Sequence, residues 1–266
     1  MPGVNGKHDG RVAIVTGATK GIGQSIAREL AASGVTVMVT GRCAADAQRE
    51  AEALAAAGAR ALGARFDIEQ RGDIATLVDA TLGAFGRLDI LVNNALSKRC
   101  VMPPEAMTDD DIEQAFTANI TNTFLLTRMA RPHLAESGNG RVINIGSVVV
   151  NRHLLGLPLY GIVKAAVVHM TRVLAAEWAG DGIRVNAINP GFIRTSAFAD
   201  LGMPDELIER SYEFYSAYHP LGKIGEPADI GRMAAYLVSA AADLISGAVI
   251  EIDGGYSAQG LQLYSG

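Results

Sequence analysis

Residues 11–42 read R-V-A-I-V-T-G-A-T-K-G-I-G-Q-S-I-A-R-E-L-A-A-S-G-V-T-V-M-V-T-G-R. An apolar run, Val12–Thr16, passes through Gly17, Gly21 and Gly23 into an Ala/Leu/Ile-rich helical pattern, Ile22–Ser33. A second apolar run, Val35–Thr40, follows. Apolar runs without alternation suit strands buried on both faces. Glycines at a strand-to-helix turn permit the sharp bend and let a pyrophosphate approach the backbone at a helix N-terminus. The spacing is G-x-x-x-G-x-G, not G-x-G-x-x-G. It is not a Walker A loop either, because Gln24 and Ser25 follow Gly23. The competing reading is a tight turn without a ligand. Its place in the first βα unit favours the nucleotide.

Working outward, the same alternation repeats to the C-terminus. Strands are expected at Val12–Thr16, Val35–Thr40, Ala59–Phe66, Leu88–Val92, Arg141–Ile145, Arg184–Ile188 and Ala248–Ile252. Helices are expected at Ile22–Ser33, Ala44–Ala57, Gly72–Phe85, Asp109–His133, Pro158–Ala179 and Pro227–Val238. Thr108 with Asp111 resembles a capping pair, so the acidic triplet Asp109–Asp111 reads as helix capping rather than metal binding. The pattern predicts an α/β single domain with a parallel sheet and helices on both faces. One irregular insertion, about 194–225, interrupts it.

Hydrophobic residues make up 49% and charged residues 19% of the 266 residues, which suits one folded domain with a sizeable core. A net charge of -5 argues against a nucleic-acid surface. Cys43 and Cys100 lie in no metal-type or disulfide-type spacing, and His8, His133, His153, His169 and His219 form no ligand set. No metal is expected, and the reducing cytoplasm is the expected compartment. Residues 1–9 read as a flexible arm, leaving 10–266 as the catalytic domain. No uninterrupted apolar stretch reaches the about 18 residues a membrane span needs.

Tyr160 and Lys164 stand at i and i+4 in P-L-Y-G-I-V-K, so a helix places them on one face. A phenol has a pKa of about 10, and a nearby ammonium favours the phenolate. The pair reads as a tyrosine tuned for proton transfer, with Ser147 as a second hydrogen-bonding group.

Together these segments resemble the short-chain dehydrogenase/reductase family over about residues 10–256. T-G-x-x-x-G-I-G at Thr16–Gly23 is similar to that family's cofactor loop. Phe66-Asp67-Ile68 is similar to its adenine-contacting segment, and Asn93-Asn94-Ala95 to its N-N-A-G motif. Asn119, Ser147, Tyr160 and Lys164 match its catalytic tetrad. Pro190-Gly191-x-Ile193-x-Thr195 matches its motif near the nicotinamide, and Asp253-Gly254-Gly255 the end of its last strand. Leu96 departs from the pattern, standing where the family has glycine.

The resemblance implies a Rossmann-like, doubly wound, seven-stranded, mainly parallel sheet. It implies a nicotinamide dinucleotide held by Gly17, Thr19, Lys20, Gly21, Ile22, Gly23, Arg42, Asp67, Ile68, Asn94, Ala95, Tyr160, Lys164, Pro190, Gly191, Ile193 and Thr195. Tyr160 would be the general acid for ketone reduction and the base for alcohol oxidation. Ser147 would hold the carbonyl oxygen, Lys164 would act on Tyr160 and the cofactor ribose, and Asn119 would hold a water linking Lys164 to solvent. At the end of the second strand an acid binds the ribose 2′-hydroxyl, whereas an arginine accepts a 2′-phosphate. This chain has Gly41-Arg42 there and Lys20 in the glycine loop, which favours NADP(H) over NAD(H).

The insertion at 194–225 resembles the family's substrate lid and is aromatic in a chain with only 6% aromatics. That favours an apolar or aromatic ketone, with Leu96, Val149, His153, Leu157, Phe198, Met203 and Tyr215 as the expected pocket. An enoyl reductase on the same fold, or a non-catalytic NADP(H)-binding scaffold or sensor, are the alternatives. The expected partners are a small-molecule carbonyl or alcohol and further copies of the chain, as a homotetramer or homodimer, with neither nucleic acid nor membrane.

Overall fold

Apolar runs become strands wherever both faces can be covered, and this governs the whole chain. A computed structural model describes residues 10–196 and 199–260. The expected arm, 1–9, and Phe198 lie outside the described residues. Seven strands form one sheet: β1 (Val12–Val15), β2 (Thr36–Gly41), β3 (Ala61–Arg65), β4 (Ile90–Asn93), β5 (Arg141–Ile145), β6 (Arg184–Pro190) and β7 (Val249–Ile252). Their order is β3-β2-β1-β4-β5-β6-β7, and every pairing is parallel. Ile14 on β1 aligns with Met38 on β2 and Leu91 on β4, fixing the register of the centre. The five inner strands are buried along their length, and the edges β3 and β7 are partly open.

Helices α1 (Gly21–Ala32), α2 (Ala44–Ala56), α3 (Gly72–Phe85), α4 (Asp109–Phe116), α5 (Thr123–Glu136), α6 (Pro158–Glu177), α7 (Asp205–Ser216) and α8 (Pro227–Val238) complete the chain. Alternate side chains of the sheet feed two cores. Val15, Val37 and Ile143 meet Ile26, Leu30 and Leu237 on one face. Ile14, Leu91 and Val142 meet Leu77, Leu126 and Trp178 on the other. Each such buried side chain contributes about 1.5–3 kcal/mol. Sheet order reverses between β1 and β4, and the carboxyl ends there open the crevice in which such sheets bind ligands.

Three expectations need correction. The single helix over Asp109–His133 is two helices, α4 and α5, joined by a π-helical turn over Thr117–Asn122. Thr108 and Asp111 do form the reciprocal cap at its start. The insertion at 194–225 is not irregular throughout, because α7 lies in it. Pro204 precedes α7, Asp205 and Glu206 occupy its first turn, and Ile208 and Tyr212 share its buried face. Finally, α6 is long and apolar enough by composition to cross a membrane. Its buried side, which includes Val163, Lys164, Val167 and Thr171, packs on β5 and β6.

Candidate active site

Between β1 and α1 the backbone turns at Gly17, where φ is +64°. A side chain there would press on Asn94 and Ala95, and one at Gly23 would run into the carbonyl of Gly17. The turn is held from β4. Thr16 Oγ1 accepts from the N–H groups of Asn94 (2.8 Å) and Ala95 (3.0 Å), and Asn94 Nδ2 donates to the carbonyls of Thr16 (2.9 Å) and Gly17 (3.0 Å). Lys20 precedes α1 without capping it through its side chain. The amides of the first turn therefore keep their capacity for an anion.

Two adjoining clefts open above this turn. One, of about 610 Å³, is lined by Gly17, Thr19, Lys20, Arg42, Asp67, Ile68, Asn94 and Ala95. The other, of about 300 Å³, is lined by Ile22, Ser147, Tyr160, Lys164, Pro190, Gly191, Ile193 and Thr195. Asn94 and Leu96 line both. Gly21 and Gly23 form the turn itself. Of the residues expected at the dinucleotide, all but Gly21 and Gly23 line one or other of these two clefts. The side-chain-free glycine turn and the two volumes fit a two-part, phosphate-bridged ligand.

Ser147, Tyr160 and Lys164 share the smaller cleft. Ser147 lies two residues past the end of β5, and Asn189 Oδ1 on β6 accepts its N–H at 3.0 Å. Asn189 Nδ2 lies 3.4 Å from Glu251 Oε1. Lys164 is buried and donates from Nζ to the carbonyl of Ile145 at 2.7 Å, with Nζ 5.9 Å from the Tyr160 ring centroid. Burial lowers its pKa to about 8. Tyr160 does not behave as the i, i+4 spacing suggests. Burial pushes its phenol upward, and its hydrogen bond with Ser147 opposes that only in part. Desolvation is the largest cause, and buried Cys100 adds to it.

Asn119 lies in the π-helical turn and is buried. Its Oδ1 accepts the Ser97 N–H at 2.8 Å, and its Nδ2 donates to Ala115 O at 3.0 Å and to Ser97 O at 3.2 Å. The side chain therefore ties the π turn to the loop after β4. With Leu96 and Lys164 it lines a small void between α5 and α6. Buried Cys100 donates to Ser97 O at 3.3 Å from the same loop, and its thiol is pushed up to about 11 by burial.

The expected substrate residues divide. Leu96 and Tyr215 line the catalytic cleft. Leu96 packs beside Cys100, Leu159 and Val163 and fills space that glycine would leave. Val149, His153 and Leu157 line a separate apolar groove of about 650 Å³. Met203 packs on the cluster of Ile208, Tyr212 and Ile224. Phe192 and Tyr212 line the catalytic cleft but were not expected there. Phe192 stacks on Tyr215 at 4.0 Å, and Tyr212 Oη donates to Thr195 O at 2.6 Å. The missed signal for Phe192 is its place directly after Pro190-Gly191, at the carboxyl end of β6.

Arg42 is exposed at the cleft and has no ion pair or hydrogen bond among the described residues. Lys20 differs. It pairs with Asp200 at 2.6 Å, and Lys98 approaches the same carboxylate at 3.3 Å. These contacts, led by the Lys20 hydrogen bond, hold the Asp200 carboxyl below its ordinary range. They tie the glycine loop and the loop after β4 to the insertion.

Comparison with known proteins agrees with this geometry. A family profile described as enoyl-(acyl carrier protein) reductase matches residues 17–257. The 4-formylbenzenesulfonate dehydrogenase of Comamonas testosteroni is 37% identical over 246 residues, covering 92% of this chain and 97% of that protein. The cis-4-hydroxycyclohexanecarboxylate dehydrogenase of Sinomonas cyclohexanicum is 34% identical, covering 93% and 97%. Among solved structures, a 7α-hydroxysteroid dehydrogenase complexed with NADH and 7-oxo glycochenodeoxycholic acid aligns with a TM-score of 0.86 at 31% identity, covering 95% of this chain and 96% of that one.

Proposed function

Because the chain belongs to the short-chain dehydrogenase/reductase family and is an oxidoreductase acting on CH–OH groups, we propose that it interconverts a ketone and a secondary alcohol with NADP(H). The observation that carries this is the convergence of Ser147, Tyr160 and Lys164 on one cleft beside the glycine turn. When bound, the dinucleotide supplies or accepts the hydride. Tyr160 gives its hydroxyl proton to the substrate oxygen in reduction and takes it back in oxidation. Ser147, braced by Asn189, donates to the same oxygen as charge develops there. Lys164, on the same face of α6 as Tyr160, binds ribose hydroxyls. Asn119 holds the loop that borders the void beside Lys164 and positions a water there.

Enoyl reduction is the second reading, favoured by the description of the matching profile. Against it, the Ser147–Tyr160–Lys164 spacing speaks for carbonyl chemistry. A panel of ketones and enones, followed by NADPH oxidation, tests the assignment. Turnover of ketones alone is expected. Turnover of enones alone, or NADPH binding without turnover of either, removes it.

The cofactor assignment rests on Arg42 and on the lack of an acid at the end of β2. The NADH bound in the structural relative is a property of that protein. Arg42→Asp is expected to reverse the preference, lowering kcat/KM for NADPH about 100-fold relative to NADH through loss of a charge-assisted contact and gain of repulsion. Equal ratios in variant and parent would refute it.

The substrate is read as apolar or aromatic because Phe192, Tyr212, Tyr215 and Leu96 line the cleft. Residues 194–225 act as its lid, latched by Asp200. Exposed Ile112, Phe116, Phe124 and Met129 on α4 and α5, with Ile162 and Val173 on α6, support a homodimer or homotetramer. Two free thiols, Cys43 and Cys100, support a cytoplasmic setting.

A further inference from the structure

Phe192 and Tyr215 make one aromatic wall of the catalytic cleft, stacked at 4.0 Å. Tyr215 is carried by α7. Phe192 lies two residues past β6, outside any helix or strand. Its main chain is tied at both polar groups instead. The carbonyl accepts the Gly225 N–H at 2.9 Å, and the N–H donates to Nε2 of His219 at 3.3 Å. On the other side of the imidazole, Nδ1 lies 2.7 Å from Lys223 O. These two partners decide the tautomer. A backbone N–H only donates, so Nε2 accepts; a carbonyl only accepts, so Nδ1 carries the proton.

His219 is 2% exposed, and its seat is cut from backbone. A Cβ on Gly191 would stand 3.1 Å from Nε2, and one on Gly254 would stand 3.1 Å from Nδ1. A Cβ on Gly255 would press on Pro220 at 3.2 Å, and Leu221 N–H donates to Gly254 O at 3.2 Å. The Asp253-Gly254-Gly255 segment and the Pro190-Gly191 segment therefore close around one imidazole. Its two bonds do different things. The Nδ1 bond staples His219 to its own short turn. The Nε2 bond leaves that turn, crosses 27 residues of sequence and holds the wall of the cleft.

We propose that His219 is a positioning residue that sets the Phe192–Tyr215 wall, and through it the preference of the cleft for ring-bearing ketones over small aliphatic ones. His219 lines neither cleft of the active site and acts through the Phe192 N–H. The proposal rests on the carbonyl reductase reading and adds to it a residue that governs the substrate class. Without Nε2, the part-buried Phe192 amide loses its acceptor, and the loop loses one of the two backbone ties that keep the ring against Tyr215.

Two substitutions separate this role from simple stapling, because each keeps one bond. In His219→Gln the amide oxygen reaches the place of Nε2 and accepts the Phe192 N–H. In His219→Asn the shorter amide reaches the place of Nδ1 and donates to Lys223 O. Rates are measured at saturating NADPH with acetophenone, whose ring meets the wall, and with 2-butanone, which has no ring. His219→Asn is expected to raise KM for acetophenone about tenfold, the scale of a buried donor left without its acceptor. Its kcat and its KM for 2-butanone change by less than about twofold, as for a lost ground-state contact. His219→Gln is expected to match the parent with both ketones. Phe192→Leu, which leaves the histidine and its turn intact, is expected to reproduce the acetophenone loss. Hydrogen exchange of amides 191–194 reads the tie without turnover: faster in His219→Asn, unchanged in His219→Gln. An Asn variant as good as the Gln variant, a KM loss shared equally by the two ketones, or an unchanged KM in Phe192→Leu overturns the proposal. If neither ketone turns over in the parent yet exchange follows the acceptor at 219, the tie to Phe192 stands and the assigned reaction falls. If both ketones turn over alike in the parent and both His219 variants, the reaction stands and the positioning role falls.

Discussion

Tyr160→Phe lowers kcat about 10³-fold, the scale of a positioned general acid–base group. Dinucleotide affinity changes by less than about twofold, as expected when the lost interaction acts on the transition state rather than on binding. Phenylalanine keeps the ring that packs beside Leu159 and Val163 and removes only the hydroxyl. The remaining groups, Ser147 and Lys164, hold their places through Asn189 and the carbonyl of Ile145, neither of which involves Tyr160. The pH profile carries the sign. Burial raises the Tyr160 phenol above its ordinary value. The proton-donating form therefore persists through neutral pH, and ketone reduction stays flat there before falling in the alkaline range. Alcohol oxidation needs the phenolate and rises with pH. Stopped-flow measurement of both directions in parent and variant checks this. Turnover retained by Tyr160→Phe would assign the proton transfer to another group.

Most of the architecture is legible because burial on both faces leaves an unbroken apolar run, and each such run in this chain became a parallel strand. The glycine turn is legible for a different reason: Gly17 and Gly23 occupy positions where a Cβ meets backbone, so local sequence and tertiary contact make the same demand. The π-helical turn at Thr117–Asn122 is not visible in the pattern. It depends on Asn119 being drawn inward by Ser97 and Ala115, and polarity alone suggests an outward side chain. Helix α7 was hidden because its exposed Phe214, with exposed Tyr218 just past its end, reads as loose aromatics rather than as one side of a helix. The loop from Val148 to Leu157 shows the limit most clearly. The resemblance marks it as a wall of the pocket, but which residues face which cavity depends on the turn that follows Ser147. Val149, His153 and Leu157 face the outer groove, whereas Arg152 turns toward Tyr256. Contacts such as Ser147 to Asn189 and Arg152 to Tyr256 join distant strands and loops and leave no local periodicity.

Lys164→Met inactivates the protein and stabilises it. Activity falls because the buried ammonium shares the cleft with Tyr160 and is the group proposed to bind the ribose, a loss of about 10²-fold or more. Stability rises because the native state carries a charge in a desolvated place. Burial lowers the Lys164 pKa from 10.5 to about 8, which corresponds to about 3 kcal/mol at roughly 1.4 kcal/mol per unit. Methionine removes that cost but leaves the carbonyl of Ile145 without its donor, a loss of about 1 kcal/mol. The net gain at pH 7 is about 2 kcal/mol, or about 4–8 °C in Tm for a domain of this size. The pH dependence separates this cause from simple repacking. Where the folded pKa is lowered, the unfolded chain binds the extra proton between the two values. Stability of the parent therefore rises with pH from about 8 to 10.5, while Lys164→Met lacks that contribution. Groups common to both proteins cancel in the difference, so the advantage of the variant shrinks through this window and reverses above it, where a neutral lysine keeps its bond to Ile145. Denaturant unfolding of parent and variant at pH 7 and pH 10 measures that difference. A variant advantage independent of pH would mean that better apolar packing, not relief of a buried charge, is the source of the gain.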